Sequence, residues 1–210
     1  MLLWLPRQVL RFGRKKWSFG RRRRRLKETD PAKAHESGDL RVHLGEEFGK
    51  LRNHIDFFRA GLGAVMLLGT FEGITAAVRA DVEAYARSEQ LVLVVKIAVL
   101  LVGVLVQVFR YEHRIAFYAP IFYLSGLSVG MCGVYPALVA MVLVWVINLA
   151  LLRPAAFLSL QALLVLTTGV LFRGVNSWLP YAAAVLMLLP VALSLLSRRR
   201  LGMFSKRMKA

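Results

Sequence analysis

One cysteine, Cys132, among 210 residues leaves nothing to pair with it in an internal disulfide and no thiolate cluster for a metal. Histidine is confined to His35, His43, His54 and His113, and none of them sits in an H-E-x-x-H pattern. A P-loop is missing too, so the motif-bearing zinc hydrolases and P-loop NTPases are excluded, and neither cofactor nor metal is expected. Acidic side chains are few, with 12 Asp and Glu against 29 Lys and Arg and a formal charge of +17. That imbalance draws the chain to anionic surfaces, either lipid headgroups or nucleic acid. The most informative scarcity is of charge itself: residues 115–152 carry none across 38 positions.

What fills those positions is apolar. Hydrophobic residues make up 57% of the chain, more than a soluble domain of this size could cover. The runs are continuous rather than alternating, and backbone groups in lipid must be bonded within their own segment, so the pattern predicts helices and not a barrel. A span needs roughly 20 residues. Six fit, at 57–78, 91–109, 115–133, 135–152, 154–172 and 178–197, giving an all-α, polytopic membrane protein with a six-transmembrane-helix bundle over residues 57–197. The long uncharged stretch must fold back on itself, since as one helix it would measure about 57 Å. Gly133 and Pro136 mark the turn.

Charge sets the expected orientation. The first 56 residues hold 15 basic and 7 acidic side chains, the 110–114 loop has two Arg, the 152–154 turn has Arg153, and the basic tail 198–210 has six Lys and Arg. An even number of spans puts all four on one side, so both termini are expected in the cytoplasm of a bacterial cell, with the bundle in its cytoplasmic (inner) membrane. A cleaved leader is not expected, because residues 1–5 are too short for an apolar signal core and their charges follow it.

Residues 1–39 read as a basic interfacial arm followed by a flexible linker. Trp4 and Trp17 interleave with Arg14, Lys15 and Lys16, and Arg21, Arg22, Arg23, Arg24 and Arg25 follow. Aromatic rings inserting shallowly beside cations on anionic headgroups is the chemistry of a lipid-binding arm. Nucleic-acid phosphate is the competing partner for the arginine run. Residues 40–56 then form an amphipathic juxtamembrane helix, whose apolar stripe Leu44, Phe48, Leu51, Ile55, Phe58 and Leu62 continues towards the first span. Arg59 reads as a snorkelling residue near the membrane edge.

Three polar residues within the spans share a depth. Glu72, Lys96 and Ser128 each fall about 8 to 9 Å below the outer boundary at 1.5 Å per residue. A Glu72 to Lys96 charge pair between the first two spans would avoid two unpaired buried charges. With Ser128, Thr167, Thr168 and Tyr181 it would outline an outer polar vestibule. Gly126-Leu127-Ser128-Val129-Gly130 carries the letters of a nucleophile elbow, and Ser128 with Lys96 supplies the elements of a Ser/Lys dyad. That motif needs a strand-to-helix turn, however, so the glycines are better read as packing surfaces. Gly126, Gly130 and Gly133 recur at i, i+4 and i+7, and Gly69 with Gly73 forms a second small-residue pair.

The functional expectation is a non-enzymatic membrane subunit or scaffold that contacts other membrane subunits, or further copies of itself, through helix faces and anionic lipid through its arm. A small-solute or ion transporter with the outer vestibule is the alternative. An intramembrane Ser/Lys hydrolase is the third.

Overall fold

The computed structural model describes Val42 and residues 47–70, 82–112, 114–151, 153–197 and 201–202. The chain is mostly helical: α1 (Leu51–Thr70), α2 (Val82–Val108), α3 (Ile121–Cys132), α4 (Val134–Ile147), α5 (Pro154–Arg173) and α6 (Trp178–Leu196). Three of these are long and apolar enough to cross a membrane, over Leu91–Val108 of α2 and the whole of α5 and α6. The helices α3 and α4 are apolar but shorter, and α1 carries charges inside the bundle.

Three short strands accompany the helices. β1 (Phe109–Glu112) pairs antiparallel with β2 (Arg114–Tyr118), and β2 pairs in parallel with β3 (Leu201–Gly202), matching Phe117 to Leu201 and Tyr118 to Gly202. The third apolar stretch, expected to be helical from residue 115, therefore opens as a strand and becomes helix only at Ile121. Pro120 supplies the reason. It disfavours helix at the residue before it and is tolerated at a helix start, so the chain arrives extended and turns helical directly after. The helix α1 runs unbroken from Leu51 to Thr70, so the amphipathic segment continues into the apolar stretch that follows it.

α3 is the axis of the bundle. Ile121 through Ser128, Met131 and Cys132 are all buried, with α1, α4, α5 and α6 around them. Apolar residues on every side, without an amphipathic stripe, are what an enclosed helix needs. Gly133, at φ 99°, turns the chain straight into α4 in a backbone conformation few side chains tolerate. The return is antiparallel, with Phe122 beside Trp145 and the Thr168 hydroxyl of α5 reaching the Pro136 carbonyl. Arg173, at the end of α5, donates from Nε to the Cys132 carbonyl at 2.7 Å and holds the last turn of α3.

One end of the bundle gathers elements far apart in sequence. Asn148 donates to the Val42 carbonyl, Phe48 packs edge-on against Trp145, and the β1–β2 hairpin meets β3 after α6. The 110–114 loop, the turn at Arg153 and the chain following α6 thus belong to the same end as the start of α1.

Candidate functional site

α1 is turned inside out relative to a helix in a soluble protein. Its apolar stripe faces outward, with Leu51 74%, Ile55 41%, Phe58 63% and Leu62 54% exposed. Asn53, Asp56 and Arg59 are buried on the opposite side. They recur at i, i+3 and i+6 and so share one helix face. Arg59 and Asp56 form an ion pair, Nη2 to Oδ1 2.9 Å, and the guanidinium carbon lies 5.6 Å from the centre of the Tyr123 ring on α3. Planar guanidinium over an aromatic face is a favourable cation–π geometry. The snorkelling assignment of Arg59 is thereby corrected: its side chain is 5% exposed and turned towards α3. Asp56 and Arg59 lie five and eight residues beyond Leu51, roughly 8 and 12 Å along the helix. Left open to lipid, each charge would cost about 2.5 to 3.5 kcal/mol near the centre of a span.

Glycine makes that arrangement possible. A Cβ placed on Gly126 would sit 2.0 Å from the Phe57 carbonyl oxygen, and one on Gly130 would sit 2.5 Å from the Ala64 Cβ and 2.6 Å from the Gly61 oxygen. The backbones of α1 and α3 touch along this line, running in the same direction, as Phe57 to Gly126 is followed by Ala64 to Gly130. A side chain at either glycine would hold Arg59 away from Tyr123.

Below the ion pair, a collar of rings closes the base of the bundle. Phe48, His54, Phe122, Trp145 and Phe157 lie in a chain of edge-on and tilted contacts with centroids 5.0 to 6.3 Å apart. Glu47 organises the entry to α1, accepting from Asn53 Nδ2 and pairing with Lys50. Above the collar, Gln161 of α5 donates to Ser125 Oγ at 2.6 Å, and that hydroxyl donates to the Ile121 carbonyl.

The residues singled out from sequence are dispersed among several surroundings. Ser128 is buried and donates to the Ser125 carbonyl at 2.7 Å, within its own helix. Lys96 Nζ donates to the Leu68 carbonyl near the end of α1. Thr167 bonds back to Leu163 and Leu164 on its own helix, Thr168 joins Leu164 and Pro136, and Tyr181 reaches Val175. A Cβ added to Gly69 would meet nothing within 4 Å, in contrast to Gly126 and Gly130. Glu72, Gly73 and the arm residues Trp4 to Arg25 lie outside the described residues. Among the described residues, no group of three or more His, Cys, Asp or Glu is placed to hold a metal.

Asp56, Arg59 and Tyr123 form a cluster that the sequence alone did not bring together. A signal was present: polar residues at 53, 56 and 59 make a stripe of their own, opposite the apolar one. The apolar stripe is the more conspicuous because in water it is the face that packs. In lipid the preference reverses, and the polar and small-residue face is the one that seeks protein. No family model, curated protein or solved structure matches the chain.

Proposed function

We propose that this protein is a non-enzymatic integral membrane subunit or scaffold in a bacterial cytoplasmic membrane, with six spans and both termini in the cytoplasm. Its outward helix faces contact other membrane subunits or further copies of the chain, and its basic arm contacts anionic lipid. The observation that carries this reading is the use made of the interior. The α1 and α3 backbones meet at Gly126 and Gly130, and the hydroxyls of Ser125, Ser128 and Thr168 are spent on backbone carbonyls. Such packing favours a rigid body that works through its surface. Purification of the full chain in mild detergent, with mass-spectrometric identification of co-purifying proteins and lipids, tests it. Stoichiometric recovery of a membrane protein, with enrichment of anionic lipid, is the expected result. A chain recovered alone, free of lipid preference, overturns it.

The buried Asp56 and Arg59 pair favours a second reading, a small-solute or ion transporter, because ionisable residues inside a bundle commonly mark translocation paths. Flux into liposomes that is lost in a folded Asp56→Asn variant would establish transport in place of the scaffold.

A further inference from the structure

α1 is the helix whose own composition fits lipid least. α2, α5 and α6 qualify as spans on length and apolarity alone, and α1 is not among them. Its outward face suits acyl chains, but Asn53, Asp56 and Arg59 need cover, and α3 provides it through Tyr123 and the glycine line. The support runs one way. α3 is also enclosed by α4, α5 and α6, and is fixed to α5 by Gln161 to Ser125 and Arg173 to Cys132. α1 packs chiefly on α3, with little contact to α2.

We propose that α1 is a conditional membrane helix: it stays in the bilayer because α3 covers its charged face, and it leaves the hydrocarbon core, apolar face included, when that contact is lost. The bundle of α3 to α6 is then a receptor for α1 of its own chain. Because α3 follows α1 in the sequence, α1 becomes fixed only after the later helices are in place. This rests on α1 being membrane-embedded, which is part of the six-span reading above.

The test uses the full-length protein in open membrane sheets, on a Cys132→Ala background, with a charged maleimide as probe. Leu62→Cys reports from the outward face of α1 and Val185→Cys from the outward face of α6, where Val185 is 64% exposed. The cysteine thiolate attacks the maleimide double bond, and it forms in water and not in hydrocarbon, so both reporters should label slowly in the parent. Adding Gly126→Ala, the smallest side chain that still collides with the Phe57 carbonyl, should raise labelling at position 62 by about tenfold or more, a change of some 1.4 kcal/mol in the opening equilibrium. Position 185 should remain protected. Adding Asp56→Leu and Arg59→Leu to that variant should return position 62 to slow labelling, since α1 then stays in lipid without α3.

Three results would overturn the proposal: position 62 as protected with Gly126→Ala as without it, rapid labelling that persists after both charges are removed, or exposure of position 185 together with 62. Rapid labelling at position 62 in the parent would instead refute the embedding of α1, and with it the six-span reading, whatever co-purification shows.

Discussion

α1 and α2 are held by opposite means. The apolar window of α2 is only 28% buried inside the protein, so most of its apolar surface is turned outward, as suits a helix long and apolar enough to cross a membrane. α1 places an ion pair and its glycine contacts against α3 and turns Leu51 and Leu62 outward. One helix turns its apolar surface outward and the other turns its polar face inward. Helix faces in a bilayer gain little from apolar contact with one another, because acyl chains are equally apolar, so close packing and polar pairing decide which helices associate tightly.

Breaking the pair on one side should have the largest effect. Arg59→Leu removes the buried cation that pairs with Asp56 and should lower stability by about 3 to 5 kcal/mol. It would be read as a lower thermal midpoint in mild detergent, and Asp56→Leu should do the same. The double variant should recover most of the loss, because neither charge of the pair then has to be buried. Single losses that simply add would show that α1 is not held through this pair.

Next in size is the glycine line. Gly130→Leu must push α1 off α3 and should cost about 1 to 3 kcal/mol or more. Gly69→Leu, where a side chain meets open space, is the control on the same pair of helices and should be tolerated. Equal sensitivity at both positions would undo the distinction between a packed and an open face.

Where the two helices meet, Lys96 of α2 donates to the Leu68 carbonyl of α1. A cycle of Glu72→Gln and Lys96→Met, measured by thermal unfolding, should give a coupling of about 0.5 to 3 kcal/mol if the two charges pair as the sequence leads one to expect. Additive changes would leave Lys96 as a cap on the end of α1 alone.

Smaller again are the hydroxyls. Thr168→Val removes bonds to Pro136 and Leu164, and Ser128→Ala removes one to Ser125. Thr168→Val should cost around 0.6 kcal/mol, the usual worth of a polar contact between membrane helices, and Ser128→Ala, whose bond stays within α3, should cost less. On the outer face of α2, Val94→Leu and Val95→Leu should fall within about 0.5 kcal/mol of the parent. A large loss there would mean that protein, and not lipid, covers α2.

The helices that could be read from sequence are those with the fewest demands on their neighbours. α5 and α6 lie within a residue of the expected 154–172 and 178–197, because Pro154 opens one and the short turn 174–177 separates them. The turn between α3 and α4 fell at Gly133 for an equally local reason, its positive φ. The strand at Arg114–Tyr118 was not legible, although its partner β1 is adjacent, because it runs without an alternating pattern into the uncharged stretch that follows, and its other partner β3 lies about 85 positions later. Nor was the placement of Arg59. The neighbouring residues of α1 fit a snorkelling side chain as well as a buried one, and only the approach of Tyr123 separates the two.

Composition and hydropathy alone determined that the chain is helical and that its longest apolar helices suit a membrane, because both follow from how each segment meets its solvent. The tertiary structure decided which face of α1 is hidden, which glycines touch and where the first polar cluster lies. Those outcomes depend on which helices become neighbours, and a periodic stripe looks the same whether lipid or another helix is waiting beside it.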